Sequence, residues 1–177
     1  QGKEAPGTIV IDTPNRFLYL VMADGKARRY GVGVGKPGFE WAGTHKITRK
    51  NEWPSWTPPQ EMITREAAKG HYLPAFMEGG PQNPMGARAM YLGSTLYRIH
   101  GTNQPWTIGS NNSSGCIRMR NEDVTDLYER VKVGATTIEA RRYDVVSELT
   151  ASFWYDAQGR WVKCAFEAEG SKIEYVL

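Results

Sequence analysis

A chain of 177 residues, 40% of them hydrophobic, is long enough for one domain with its own core, or for one domain with a small appendage. Its formal net charge of +3 excludes the block-like charge of a nucleic-acid-binding arm. It leaves either plain solvation or a weak attraction for anionic polymers and substrate carboxylates. No apolar run approaches the roughly 18 residues that cross a bilayer, so no transmembrane segment is expected.

The N-terminal third reads as strands. TIVID (8–12) is apolar and β-branched, and FLYLVM (17–22) follows the turn TPNR. ADGK (23–26) then reverses the chain into ARRYGVGVG (27–35), because Asp-Gly between two strand-like runs is a hairpin signal. GTHKITRK (43–50) alternates and reads as a further strand. EWPSWTPP (52–59) reads as a loop, since proline blocks ladder bonds. EMITREAAK (61–69) has the composition of a short helix.

The Gly- and Pro-rich segment 73–90 is either a lid over a site or a passive surface connection. Trp53, Trp56 and Phe76 either wall a cleft or clamp loops to the core, and at least one is expected in the core. TLYRIH (95–100) is a strand ending at His100. In NEDVTDLYERVKVG (121–134), Val124, Leu127, Tyr128 and Val131 form one apolar helical face. Asn121 is its expected cap and Gly134 its expected end. TTIEA (136–140) returns as a strand. Residues 141–177 alternate in short pieces, including YDVVSEL, ASFWYD and RWVKCAFEA, and suggest an antiparallel meander. The expected division is therefore a main domain over 1–140 and a β-rich extension over 141–177.

The chemistry concentrates in SSGCIRM (113–119) and in IHGT (99–102) just upstream. A thiol reacts as its thiolate, and a histidine within hydrogen-bond reach supplies the base. Cys116 and His100 are thus the candidate nucleophile and general base. Gly115 permits a tight turn whose backbone N–H groups can hold an oxyanion, with Cys116, Gly115 or Ser114 as donors. His100 needs an acceptor on its other nitrogen, and a backbone carbonyl serves. Arg118 either binds a substrate carboxylate or fixes the turn. Ser113 and Ser114 either touch substrate or satisfy the turn. Cys164 offers Cys116 one disulfide partner, although RWVKCAFEA reads as a strand. His45, His71 and His100 are scattered, so no metal is expected.

The string IHGTNQPWTIGSNNSSGCIRM (99–119) closely resembles the signature of the L,D-transpeptidases, the YkuD-type catalytic domain. GTIVIDTPNRFLYLV, GVGVGKPG and GARAMYLGSTLYRIHGT extend the resemblance over about residues 7–140. Many relatives carry a second histidine before the Gly-Cys pair, where this chain has Ser114. The resemblance implies a mostly β fold with one or two helices, a sandwich or barrel, in a protein exported to the periplasm or cell envelope. The opening at Gln1, without a leader, fits either a mature exported form or a trimmed chain.

The resemblance also implies an enzyme of cell-wall organisation and cell shape, acting on peptidoglycan stem tetrapeptides. Cys116 would form a thioester with release of D-alanine, and an amine would resolve it. The amine would belong to another stem, giving a 3→3 cross-link, or to an outer-membrane protein; water would make a carboxypeptidase. His100 would be the base, oriented by the Gly101 carbonyl, with Arg118, Ser113, Ser114, Gly115 and Tyr97 shaping the site. No cofactor is implied, and carbapenems would acylate Cys116. The rival readings are a silent peptidoglycan-binding module, a general cysteine peptidase and a disulfide-stabilised binding protein.

Overall fold

A computed structural model describes residues 4–39, 41–141, 151–155, 161–168 and 171–176. The chain divides into two compact units, Gln1–Arg142 and Tyr143–Leu177. No helix among the described residues is long and apolar enough to cross a membrane.

The first unit is mostly β with two helices. Its strands are β1 (Ile9–Asp12), β2 (Phe17–Val21), β3 (Ala27–Gly31), β4 (Val34–Gly35), β5 (Gly43–Glu52), β6 (Arg88–Leu92), β7 (Arg98–His100), β8 (Asn111–Ser113), β9 (Ile117–Arg118) and β10 (Thr137–Arg141). The helices are α1 (Gln60–Ala67) and α2 (Asn121–Arg130). Eight strands form one curled sheet in the order β3-β2-β1-β10-β5-β6-β7-β9, and β4 pairs with β8 beside it.

The β2–β3 hairpin forms where Asp-Gly stands in the sequence. Asp24 and Gly25 both take positive φ, 64° and 67°, the conformation whose twist matches the flanking strands. Alternation then decides the core. Ile9, Ile11, Leu18, Ile47, Leu92, Ile99, Ile117 and Ile138 are fully buried on one face of the sheet. Val124, Leu127 and Val131 of α2 close that face, with Tyr128 packed at its edge. Burying a side chain such as Leu127 contributes roughly 1.5–3 kcal/mol. Lys50 of β5 donates to the Tyr128 and Val131 carbonyls, placing a cation at the negative end of α2.

Several boundaries differ from expectation. The 73–90 loop ends early, because Arg88 to Met90 pair with β5. The strand expected over 95–100 is only Arg98–His100; Thr95 turns the chain by donating its hydroxyl to the Leu92 carbonyl at 2.6 Å. Helix α2 ends at Arg130, four residues before Gly134, whose φ of 77° instead serves a turn toward β5. Trp53 and Phe76 are exposed and Trp56 is half-buried against Met77, so none of the three joins the core. Among the described side chains, Trp41 is the tryptophan that does.

The second unit holds β11 (Ala151–Tyr155), β12 (Trp161–Ala168) and β13 (Ser171–Val176), an antiparallel three-stranded meander. The strand-like YDVVSEL lies outside the described residues, and so does the side chain of Cys164.

Candidate active site

Long-range pairing brings the two halves of the signature together. Strands β7 and β9 run parallel, with Ile99 opposite Ile117 and His100 opposite Arg118. The two isoleucines point into the core. Side-chain alternation therefore puts Arg98, His100, Arg118 and the preceding Cys116 on the other face. Ala89 of β6 pairs with His100, and its small side chain leaves room there.

His100 is 5% exposed, and its Nδ1 lies 2.6 Å from the Gly101 carbonyl oxygen. A carbonyl only accepts, so Nδ1 carries the proton and Nε2 keeps its lone pair. Burial, with the nearby Arg118 charge, lowers the His100 pKa from 6.5 to about 4. The backbone of Gly101 and Met85 opposes this, and Arg98 adds to it. Cys116 is half-buried, and its thiol donates to the Leu96 carbonyl at 3.9 Å. Burial pushes its pKa up, against the pull of Arg98 and Arg118. At neutral pH the thiol and the imidazole are therefore both uncharged at rest.

The turn before Cys116 is fixed from three sides. Ser113 is 1% exposed; its hydroxyl donates to the Cys116 carbonyl at 2.6 Å and accepts from the Gly115 N–H at 3.1 Å. Trp41 Nε1 donates to the Gly115 carbonyl at 2.9 Å. Trp41 also stacks on Tyr97, with ring centroids 5.1 Å apart. Gly115 has φ of 108°, and a Cβ there would meet Tyr97 Cε1 at 2.6 Å. Ser113 thus satisfies the turn, and Tyr97 shapes it. The Gly115 N–H is committed to Ser113, so of the three expected oxyanion donors this one is already engaged. Ser114 Oγ accepts from Arg65 Nη2 of α1 at 3.1 Å.

Arg118 is held by its backbone, which exchanges both hydrogen bonds with Gly33 at 2.9 Å. Its Nε is buried without a hydrogen-bond partner. Burial lowers its pKa, and Cys116 opposes that. The arrangement places a neutral imidazole held through one ring nitrogen, a thiol on a turn fixed by side-chain bonds, and the Arg98 and Arg118 side chains on one face of the sheet. Among the described residues no three His, Cys, Asp or Glu side chains converge as metal ligands.

Four residues escaped the sequence reading. Arg98 was legible in the period-2 alternation, since it stands two residues before His100. Trp41 and Arg65 reach the site only through tertiary contacts. Asn121 is the fourth. Arg120 occupies the cap position of α2, and the Asn121 side chain turns away from the helix.

The comparisons agree with this geometry. Residues 6–139 match the family model of the L,D-transpeptidase catalytic domain, YkuD. The chain is 41% identical over 131 residues to the probable L,D-transpeptidase ErfK/SrfK of Escherichia coli (strain K12), covering 71% of this chain and 41% of that protein. The chain spans about two fifths of the length of this relative and of the probable L,D-transpeptidase YbiS of the same organism, which it also matches. A solved Brucella melitensis structure, described as a probable carnitine operon oxidoreductase, is 52% identical, with TM-score 0.51 over 82% of this chain and 89% of that one. L,D-transpeptidase 3 from Mycobacterium tuberculosis, solved with a faropenem-derived adduct, shares the fold at 16% identity, with TM-score 0.56 over 76% of this chain and 60% of that one. With a family model spanning most of its length and a sheet that assembles the signature residues on one face, this chain belongs to the L,D-transpeptidase catalytic-domain family.

Proposed function

We propose that this chain is a peptidoglycan L,D-transpeptidase of the cell envelope, working through a Cys116 thioester. The observation that carries the reading is His100, buried with Nδ1 donating to the Gly101 carbonyl, at the end of the strand that pairs with the one directly following Cys116. As the thiol attacks the carbonyl of the third stem residue, its proton passes to His100 Nε2. The oxyanion forms against the N–H groups at Cys116 and Ser114. The C–N bond then breaks, His100 returns the proton to the departing nitrogen, and D-alanine leaves. An incoming amine loses its proton to His100 and displaces Cys116. One amide is broken and one is formed, so no external energy source is required.

Arg118 suits a substrate carboxylate, because its permanent charge sits at a half-buried position on the same face as His100. Arg98 adds positive potential where the oxyanion develops. The chemistry is assigned to residues 1–140. The acceptor is an amine of another stem or of an outer-membrane protein. The faropenem-derived adduct on the mycobacterial relative supports β-lactam acylation of Cys116. The Brucella relative's name suggests a redox role. Here the glycine-rich run Gly31–Gly38 leads through β4 toward β5 and opens no helix, so it lacks the dinucleotide-binding context.

Intact-protein mass spectrometry after incubation with a disaccharide tetrapeptide tests the reading. An acyl adduct with loss of D-alanine is expected for the native chain and not for Cys116→Ala. Unchanged peptide and a free thiol would favour a silent binding module. Hydrolysis indifferent to the leaving residue would favour a general peptidase.

A further inference from the structure

The base is itself held by a peptide, and that peptide is held at its other end. Asn121 Oδ1 accepts the Thr102 N–H at 3.2 Å and the Ala87 N–H at 3.0 Å. Both partners are donors, so the oxygen assignment of this amide follows from the contacts. The Gly101–Thr102 peptide therefore donates its N–H to Asn121, while its carbonyl accepts from His100 Nδ1. Hydrogen bonds in such a chain polarise one another.

The packing is built around this oxygen. A Cβ on Gly101 would lie 2.2 Å from Asn121 Oδ1, and a Cβ on Gly86 would lie 2.3 Å from it. Two segments thus approach Asn121 only because each carries glycine there. The Gly101 N–H, meanwhile, is fixed by the Arg88 carbonyl at 3.0 Å. Helix α2 begins at Asn121, and Met119 just before it donates its N–H to the His100 carbonyl at 2.8 Å. The start of α2 therefore grips the His100–Gly101 segment at two points.

We propose that Asn121 is a positioning residue for the base, acting through the Gly101–Thr102 peptide to hold His100 in its Nδ1–H tautomer, which makes Nε2 the basic nitrogen. This rests on the reading of His100 and Cys116 as the reacting pair. Asn121 touches neither reacting atom, and its effect passes entirely through the peptide. An aspartate here keeps an acceptor oxygen and suits the positive end of a helix. An alanine leaves the Ala87 and Thr102 N–H groups without their acceptor.

The test uses the native chain, Asn121→Ala and Asn121→Asp. Nitrogen-15 NMR of the imidazole reads the tautomer, Cys116 alkylation by iodoacetamide across pH reads the base, and D-alanine release reads turnover. Asn121→Ala is expected to mix the two tautomers, slow alkylation at neutral pH, and lower kcat by about 10–100-fold with little change in KM, the scale of a misaimed general base. Asn121→Asp is expected to keep the native tautomer and most of kcat, and to move the acid limb of the alkylation profile to higher pH.

A native tautomer and native alkylation profile in folded Asn121→Ala would overturn the proposal. If that variant does not fold, Asn121→Asp decides: a folded protein with a mixed tautomer overturns it equally. If the native chain releases no D-alanine, the transpeptidase reading fails, while the tautomer and alkylation measurements still judge Asn121.

Discussion

His100 should make the stability of this protein depend on pH in a window where few other side chains titrate. Its folded-state pKa is about 4, lowered first by burial and then by Arg118, while the ring in the unfolded chain titrates near 6.5. Above 6.5 both states hold a neutral ring, and the native state is undisturbed. Between 6.5 and about 4 the unfolded chain binds the proton and the folded protein does not, so acid favours unfolding. Each pH unit in that interval corresponds to about 1.36 kcal/mol, giving a loss of at most about 3 kcal/mol by pH 4. That is a large fraction of the roughly 5–15 kcal/mol typical of a domain.

Urea unfolding at a series of pH values, run beside His100→Gln, isolates the effect. The variant has its own baseline stability, yet every other titration cancels in the difference of slopes. The difference should be flat above pH 7 and should fall steadily from 6.5 toward 4. Parallel curves would refute the reasoning: they would mean that a partner to the imidazolium offsets its burial. The same depression keeps His100 competent as a base in mild acid, so the acid limb of kcat/KM should lie well below 6.5.

Other perturbations separate the parts of the site. Gly115→Ala sets a Cβ 2.6 Å from Tyr97 Cε1 at a φ of 108°, and the strain should be about 1–3 kcal/mol, with turnover falling roughly 10²-fold as the nucleophile is displaced. A native acylation rate in that variant would show that the turn tolerates the shift. Arg118→Met should lower kcat/KM about 10–100-fold, the worth of a charge-assisted pair, and should make the enzyme indifferent to amidation of the substrate carboxylate. Equal sensitivity to amidation in both proteins would assign Arg118 to the turn instead. Leu127→Ala empties a fully buried position on α2 and should cost about 2–5 kcal/mol in a denaturant titration. Asp126→Asn weakens contacts to Tyr30, Arg28 and Arg130 at a half-exposed site, so the unfolding free energy from a denaturant titration should fall by no more than about 1 kcal/mol.

Local chemistry made some elements legible and left others hidden. The β2–β3 hairpin was readable because Asp-Gly fixes a turn within four residues. The apolar face of α2 was readable because its spacing repeats every helical turn. Cys116 and His100 were readable because their motif is local on each side. Their juxtaposition was not, since it depends on parallel pairing of β7 with β9 across a long connection. Trp41 and Arg65 gave no local signal, as each acts through a contact more than forty residues away. Asn121 misled for a physical reason: asparagine before a helix normally caps it, but here the competing Ala87 and Thr102 N–H groups claim the side chain.

The pairing of β7 with β9 also has an evolutionary consequence. The reacting side chains are aligned by backbone register, by the Gly101 carbonyl and by the Ser113–Gly115 turn, not by the segment 103–110 between them. That segment can therefore change length and sequence while the chemistry stays in place, and lengthening a loop adds little entropy cost. It carries the exposed Trp106. Divergence in which cell-wall partner is served should accumulate there, with the strands beneath it left almost untouched.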